Sequence, residues 1–188
     1  MSLFYIRTSK TGSSTVNDWC GVNISTTDNR DFLDSKNNYY MVNAAIDKGS
    51  TLFTTVRNPF TRAISCWQQA IRMSWIKDTR TFEEYFRWDY RTCTPHAYTH
   101  NCSITEYLSP FLGKIKIFIK MEELGHSLRH LEINYNLPER EIGFINKADY
   151  ARNFDYRGFY TYERIKLVLD RFYVDFDTFN YSKSIMDI

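Results

Sequence analysis

Two apolar β-type segments, each followed at once by a polar turn and a helix signal, constrain the fold of this chain more than any other feature. Leu3 to Arg7 leads into the small polar loop Thr8 to Thr15 and then into a helix-compatible stretch from Val16 to Cys20. Leu52 to Arg57 stops at Asn58-Pro59, where asparagine caps a helix and proline occupies its first position. Strand, turn and helix repeated in this order predict an α/β fold with a parallel sheet.

Hydrophobic spacing and turn residues place the remaining elements. Helices are predicted over about Pro59 to Arg72, Thr81 to Trp88, Glu122 to Tyr135 and Tyr162 to Phe179, with strands over Lys114 to Lys120 and Tyr39 to Val42 and an irregular excursion over residues 23–38. No repeat, low-complexity tract or linker divides the sequence, which predicts a single domain over residues 1–188 with a central parallel sheet flanked by helices. Ligands of such sheets bind beyond the carboxyl ends of the strands.

Composition and charge exclude several kinds of protein. With 43% hydrophobic residues among 188, the chain builds a core without disulfides or metal, and its four cysteines are too few for a disulfide scaffold. The net charge of +2 and the scattered Lys and Arg residues argue against a nucleic-acid polymer as partner. No apolar run approaches the roughly 18 residues that span a bilayer, and neither an anchor nor a signal peptide is seen, which predicts a cytoplasmic or otherwise soluble protein.

The turn after the first strand has the composition of an anion-binding loop. Its residues are Lys10, Thr11, Gly12, Ser13, Ser14 and Thr15. Gly12 permits a backbone shape that other residues avoid, successive N–H groups and the following helix terminus attract anionic oxygens, and Lys10 adds a mobile charge. The hydroxyl groups are donors for a phosphate or a sulfate. Because the lysine precedes the glycine, the turn does not match the G-x-x-x-x-G-K-[ST] loop, and an ordinary polar connection is the alternative on these residues alone.

The second turn directs an arginine and a serine toward one anion. Arg57 falls at the carboxyl end of a strand, and Ser65 lies eight residues later on the polar side of the helix. That helix has an apolar face of Phe60, Ala63, Ile64, Trp67 and Ile71, and a polar stripe of Thr61, Ser65, Gln68 and Arg72. A guanidinium and a hydroxyl together suit a phosphate monoester, although a surface ion pair of Arg57 and a solvated Ser65 are the alternative.

Together the two turns resemble those of a known enzyme family. Lys10 to Thr15 resembles the 5′-phosphosulfate loop of sulfotransferases, usually P-K-[TS]-G-[ST]-[ST], and Arg57 to Ser65 resembles their 3′-phosphate motif, R-[DN]-P-x-x-R-x-x-S. Ile117 to Leu124 is similar to the family's strand with a Glu-x-Leu end, and Tyr160 to Tyr181 is similar to its closing segment. The resemblance covers nearly the whole chain and is closest to the carbohydrate (Golgi-type) sulfotransferases. Ser9 stands where the family usually has proline, and no membrane anchor is seen, which would suit a bacterial or viral member.

This resemblance implies a P-loop-like sulfotransferase fold and the transfer of a sulfuryl group from 3′-phosphoadenosine 5′-phosphosulfate, as co-substrate, to a hydroxyl-bearing acceptor, a glycan or a small molecule. It implies that Arg57 and Ser65 bind the 3′-phosphate of this donor, and that Lys10 and the turn from Thr11 to Thr15 bind its 5′-phosphosulfate. Lys10 then lies beside the leaving oxygen as a catalytic residue, and no metal is required. A kinase-like phosphoryl transferase and a donor-binding module without turnover are the alternatives.

The acceptor hydroxyl also needs a base, for which relatives use a histidine or a glutamate. His96 and His100 lie in the segment Thr94 to Cys102, predicted to be a loop, where carbohydrate sulfotransferases often place a histidine that faces the acceptor. His100 is favoured over His96 as the catalytic base, while His126 and His130 are expected on a helix surface.

The same region holds four residues of types that bind metals, Cys93, His96, His100 and Cys102. Their spacing does not match the two separated pairs of structural zinc sites, so no metal is predicted. A disulfide between Cys93 and Cys102 is the expectation only in an oxidising compartment, because some secretory relatives bridge a similar loop. Reduced thiols are the default.

Overall fold

The computed structural model describes residues 2–28, 33, 35–75, 81–92, 94–143 and 154–188. Within them, one sheet of four parallel strands forms the centre: β1 (Leu3–Ile6), β2 (Ser25–Thr26), β3 (Thr51–Val56) and β4 (Ile117–Lys120), in the order β2-β1-β3-β4. Leu3 lies opposite Thr51, and Phe53 lies opposite Ile117, which sets the register of the three longer strands. The prediction of an α/β fold with a parallel sheet is confirmed.

Helices accompany the sheet along the described part of the chain. They are α1 (Ser13–Cys20), α2 (Lys36–Asp47), α3 (Pro59–Arg72), α4 (Phe82–Arg87), α5 (Pro95–Asn101), α6 (Ile104–Leu108), α7 (Leu124–Asn134), α8 (Tyr156–Phe159) and α9 (Tyr162–Thr178). The predicted bounds of α3 are confirmed, and α4, α7 and α9 begin and end within two residues of theirs. None of the helices in the described ranges is long and apolar enough to cross a membrane.

Local capping explains why two of these helices begin where they do. At α3 the Asn58 side chain accepts a hydrogen bond from the Phe60 N–H at 2.9 Å, and Pro59 occupies the first turn, as predicted. At α4 the Thr81 hydroxyl and the Glu84 carboxylate form a reciprocal capping box. Both signals involve residues within one helical turn, so a local pattern in the sequence is sufficient to predict them.

The central strands are buried on both faces because helices cover the sheet on each side. Along β1, Leu3 and Tyr5 join one hydrophobic cluster with α1 and α7, whereas Phe4 and Ile6 join another with α2 and α6. A third cluster connects α3, α4 and α9. The alternation along β1 is the two-residue period of a strand. Packing on both faces therefore fixes β1 and β3 in the middle of the sheet. Because the two strands are parallel, their carboxyl ends lie next to each other at the same end of the sheet.

The predicted strand Tyr39 to Val42 is wrong, because these residues belong to α2. Asn38, Val42 and Ala45 are buried at helical spacing, while Tyr40 is 73% exposed. Four residues are too short a window for periodicity to distinguish a strand from a helix. Packing of the buried face against β1 and β3 selects the helix.

Two strands also differ from their predicted positions. β2 lies within the stretch 23–38, for which only an irregular excursion is predicted. Its two polar residues carry no hydrophobic pattern, and their pairing with β1 holds them in place. β4 begins at Ile117 and not at Lys114, because Leu112–Lys114 forms a 3₁₀ turn.

Residues 94–102 are largely helical, which corrects the predicted loop. α5 begins at Pro95, and the Thr94 hydroxyl caps it. The helix places His96 and His100 one turn apart on the same face. The two histidines therefore have a defined relative position that a loop would not provide.

Candidate anion-binding site

The two predicted turns lie at the carboxyl ends of β1 and β3. In the first turn the backbone angle φ of Lys10 is 66° and that of Gly12, the N-cap of α1, is 80°. A Cβ atom on Gly12 would lie 3.3 Å from Cδ2 of Leu124 and 3.5 Å from Cγ of Met121. This position therefore favours glycine both for its backbone conformation and for its close packing. A lysine with positive φ is uncommon, and such residues cluster at binding sites.

The first turn contacts the Arg57 side chain and helix α3. Nη1 of Arg57 donates to the Lys10 carbonyl at 3.4 Å, and Nζ of Lys10 donates to Oε1 of Gln69 at 3.4 Å. Nε of Arg57 donates to the Thr61 hydroxyl at 2.9 Å. Thr61, Ser65 and Gln69 follow one another at four-residue spacing along α3, so Ser65 lies on the face that Lys10 and Arg57 adjoin. The fold thus brings Arg57 into contact with Lys10 and places Ser65 on the face of α3 that both adjoin.

Gln69 is a residue of this site that the polar stripe predicted for α3 does not include. It is buried, and its Oε1 accepts from Nη2 of Arg72 at 2.5 Å as well as from Lys10. Its position four residues after Ser65 is the sequence signal that identifies it. Ile71, predicted on the apolar face, is instead 45% exposed. The face of α3 that meets the first turn therefore includes Gln69 and is not identical with the predicted polar stripe.

The site concentrates positive charge in a partly buried position. Burial lowers the pKa of the Lys10 ammonium, and the charges of Arg72, Arg57 and Arg62 lower it further. The amino ends of α1 and α3 add partial positive charge at the same edge of the sheet. A bound anion would compensate these charges and raise the pKa of Lys10, so the arrangement suits phosphate or sulfate oxygens.

The hydroxyl-bearing residues of the first turn differ in burial: most of them are buried, and one is partly exposed. Oγ1 of Thr11 lies 2.8 Å from Oγ1 of Thr8 and 2.8 Å from Oγ1 of Thr55, within a buried network between the turn and β3. Ser13 and Thr15 are also buried, whereas Ser14 is partly exposed. The Thr11 hydroxyl anchors the turn to β3, so a contribution of Thr11 to anion binding depends on its backbone N–H.

Arg62 holds the beginning of the first turn. Its side chain is 1% exposed, Nε donates to the Ser9 carbonyl at 3.3 Å, and Nη2 donates to the Cys102 carbonyl at 3.0 Å. Nη1 lies 3.9 Å from Oδ2 of Asp175, and the guanidinium lies 5.0 Å from the centre of the Phe172 ring. One buried side chain thus connects the first turn, the end of α5 and α9. The sequence motif contains Arg62 but does not predict this structural role.

His100 lies next to the first turn, and the ring of His96 contacts that of His100. Nδ1 of His100 lies 2.9 Å from the His96 carbonyl and 3.5 Å from Oγ of Ser9. The Trp75 ring contacts both imidazoles, with ring centroids 5.3 Å from His96 and 5.0 Å from His100. A proton on Nδ1 that is donated to the His96 carbonyl leaves Nε2 of His100 as the basic nitrogen. The fold therefore places His100 beside the turn with His96 next to it, and His100 is the more buried of the two.

The buried position of His100 makes the stability of the chain depend on pH. Burial lowers the pKa of His100 from 6.5 to about 3, and the charges of Lys10 and Arg62 act in the same direction. The unfolded chain takes up this proton near pH 6.5, so the free energy of unfolding is fully retained above that pH and falls as the pH is lowered toward 3. We expect a loss of about 2–3 kcal/mol from this residue between about pH 6.5 and pH 4.5, measured by urea unfolding.

The variant His100→Gln is expected to lose less stability over this pH range, since glutamine does not titrate. His126→Gln is the matched control, because His126 is exposed on α7. It is expected to follow the pH dependence of the parent chain. An identical pH dependence in all three proteins would contradict a buried, neutral His100.

The predictions that involve Cys93 lie outside the described residues. They are the disulfide with Cys102 and the set of four metal-binding residue types; Cys102 itself is buried. Within the ranges that the structure describes, no group of three or more His, Cys, Asp or Glu side chains is placed to hold a metal ion. The predicted surface position of His126 and His130 on α7 is confirmed.

The fold and the site together define an α/β protein with a cationic site at the carboxyl edge of a parallel sheet. No family model, curated protein or solved structure matches the chain. The chemistry of the site's own residues and the resemblance of its two turns to sulfotransferase motifs are therefore the only pointers to a function.

Proposed function

We propose that this chain is a sulfotransferase with the P-loop-like fold of that family, and that it transfers a sulfuryl group from 3′-phosphoadenosine 5′-phosphosulfate to a hydroxyl of an acceptor, a glycan or a small molecule. The observation that supports this function most is the contact between the two turns, through Nη1 of Arg57 and the Lys10 carbonyl. Two cationic turns that resemble the two donor motifs lie side by side. The donor carries anionic groups at the 3′ and the 5′ positions of its ribose, so its binding requires two cationic turns close to each other.

Each turn binds one end of the donor in this proposal. The Arg57 guanidinium and the Ser65 hydroxyl bind the 3′-phosphate, because a charged fork and a neighbouring hydroxyl match the oxygens of a monoester. Lys10, the backbone N–H groups from Thr11 to Thr15 and the positive end of α1 bind the 5′-phosphosulfate. Gln69 positions the Lys10 ammonium against α3. The cations of the protein neutralise the donor, and no metal takes part.

Transfer follows an in-line displacement at sulfur. The acceptor oxygen forms a bond to sulfur while the bond from sulfur to the bridging phosphate oxygen breaks, and that oxygen leaves with the electron pair as part of adenosine 3′,5′-bisphosphate. The Lys10 ammonium stabilises the negative charge that develops on the leaving oxygen. A base accepts the proton of the acceptor hydroxyl.

Nε2 of His100 is the proposed base. A pKa of about 3 is low for this role, and it arises because burial and the charges of Lys10 and Arg62 disfavour the imidazolium. The negative charges of a bound donor offset Lys10 and Arg62, and so raise the pKa of His100 toward the range in which a base is effective. His96 lies one helical turn earlier on α5 and is the second candidate for this role.

A donor-binding module without turnover is the second candidate function, favoured by the low pKa of His100. It would bind adenosine 3′,5′-bisphosphate but transfer no sulfuryl group to any acceptor, and a screen of glycans and small alcohols with labelled donor distinguishes the two functions. A kinase-like phosphoryl transferase is less well supported, because the first turn lacks the order Gly-Lys-[ST] that binds nucleotide triphosphates.

Thermal unfolding with adenosine 3′,5′-bisphosphate, in the absence of magnesium, tests the proposed function. At about 100 times its dissociation constant, this product is expected to stabilise the chain by about 2.7 kcal/mol and to raise Tm by about 5–10 °C. Adenosine 5′-monophosphate lacks the 3′-phosphate and is the matched control, for which a much smaller shift is expected. Stabilisation by ATP with magnesium, and none by the bisphosphate, would identify a phosphoryl transferase instead.

Arg57→Ala is expected to weaken the binding of adenosine 3′,5′-bisphosphate by about 10- to 150-fold, because a hydrogen bond to a charged group contributes about 1.5–3 kcal/mol. Isothermal titration calorimetry measures this affinity. Arg91→Ala is the matched control, since the Arg91 side chain is 68% exposed and lies outside both turns. Equal affinities in the two variants and the parent chain would show that Arg57 does not bind the 3′-phosphate.

A further inference from the structure

A groove of about 730 Å³ lies between α7 and β4, which is an edge strand of the sheet. Its lining combines the apolar side chains of Ile117, Ile119 and Leu131 with the polar side chains of His126, His130 and Asn134. None of these residues belongs to the two turns of the proposed donor site. The groove is therefore a separate feature, with its own nitrogen- and oxygen-bearing side chains.

His126 and His130 occupy consecutive turns on one face of α7. Their ring centroids lie 4.4 Å apart with the ring planes inclined at 52°, and both side chains are exposed. Asn134 follows at the same four-residue spacing and is the last residue of the helix. Three side chains that carry lone pairs thus run along the groove, and two of them are imidazoles in mutual contact.

The charges near His126 and His130 are compatible with the binding of a cation. Arg129 lies between the two histidines in sequence, but its guanidinium is engaged by Glu132 at 2.6 Å and by Glu139 at 3.4 Å. Glu122 and Glu123 precede α7 and contribute negative charge near its beginning. The positive charge of Arg129 is therefore compensated by these two carboxylates.

Two histidines four residues apart on a helix bind one metal ion when both imidazoles turn toward it. Neutral imidazole suits Zn²⁺, Ni²⁺ and Cu²⁺, with a Zn–N distance of about 2.0–2.1 Å. We infer that His126 and His130 form a site for a divalent transition metal, with water molecules as the remaining ligands. This site does not depend on sulfuryl transfer.

Isothermal titration calorimetry of the full chain, without an affinity tag, with Zn²⁺ and with Ni²⁺ at neutral pH tests this site. One metal ion is expected to bind per chain. His126→Ala and His130→Ala are each expected to weaken binding by about tenfold or more, since even the loss of a residue that supports a ligand costs about 10- to 100-fold. Both histidines are exposed and alanine favours a helix, so both variants are expected to fold, which circular dichroism verifies.

His96→Ala is the matched control, because His96 is a histidine on a different helix, α5. It is expected to bind the metal with the affinity of the parent chain. Failure of the parent chain to bind either ion, or full retention of binding in both alanine variants of α7, would overturn the inference. Loss of binding in His96→Ala with retention in the α7 variants would place the metal at α5 and would also overturn it.

Discussion

Lys10→Ala is expected to lower the turnover number of sulfuryl transfer by about 10²- to 10³-fold, and to lower the affinity for adenosine 3′,5′-bisphosphate far less. The Lys10 ammonium contacts Gln69 on α3 and belongs to the turn proposed to bind the phosphosulfate, where charge develops on the leaving oxygen. Alanine removes this charge but keeps the backbone N–H groups of the turn and the Arg57 side chain. Initial rates with labelled donor and an acceptor found by screening, together with calorimetric affinities, measure both quantities.

Lys48→Ala is the matched control for this variant, because Lys48 is an exposed lysine just after α2. Its turnover and its affinity are expected to equal those of the parent chain. Lys10→Arg keeps the positive charge with a different shape and is expected to restore part of the turnover. If Lys10→Ala loses as much affinity as turnover, or loses neither, Lys10 does not act at the leaving oxygen.

Arg62→Ala is expected to lower the free energy of unfolding by about 3–5 kcal/mol, because it leaves a buried carboxylate without its counter-charge. Burial raises the pKa of Asp175, and the charge of Arg62 acts against this change. The substitution also removes the donors to the Ser9 and Cys102 carbonyls. Urea unfolding at neutral pH, monitored by circular dichroism, measures the loss, and binding of adenosine 3′,5′-bisphosphate is expected to weaken because the first turn loses its support.

A double-mutant cycle isolates the interaction between Arg62 and Asp175. Asp175→Asn removes the carboxylate charge, so the loss in the double variant is expected to be smaller than the sum of the two single losses. Arg62→Lys keeps the charge but not the planar fork, and its intermediate loss can be measured even if the alanine variant is too unstable to purify. Arg91→Ala, on the surface, is expected to change stability by less than about 0.5 kcal/mol. A comparably small change in Arg62→Ala would contradict the proposed structural role.

Elements with strong local signals could be predicted from the sequence. α3 has its predicted bounds because Asn58 and Pro59 begin it and because apolar residues recur along it at helical spacing. α9 was predictable for the same reason, because its buried residues, among them Phe172 and Phe176, recur at helical spacing. α2 carries mixed signals, since Asn38 is buried and Tyr40 is exposed, and its helical period is visible only after its neighbours are known.

The candidate site was predictable in its two turns but not in the contacts that support them. Lys10 and Arg57 follow strands directly, so their placement at one edge of a parallel sheet follows from the order of the elements. The contact of Gln69 with Lys10 could not be predicted, because it depends on which face of α3 meets the first turn. The role of Arg62 required knowledge that Asp175, more than 100 residues later, packs against α3. Such partners are not recognisable from spacing along the chain.

By itself the sequence determined two strand-turn-helix units, their order in a parallel sheet and the cationic character of both turns, because capping, propensity and hydrophobic spacing act over a few residues. Only the tertiary structure decided that Lys10 and Arg57 touch, that the Thr11 hydroxyl is directed into the network with β3 and that His100 is buried and neutral. Burial and long-range hydrogen bonds depend on which distant segments pack together, and a short window of sequence does not contain both partners of such contacts.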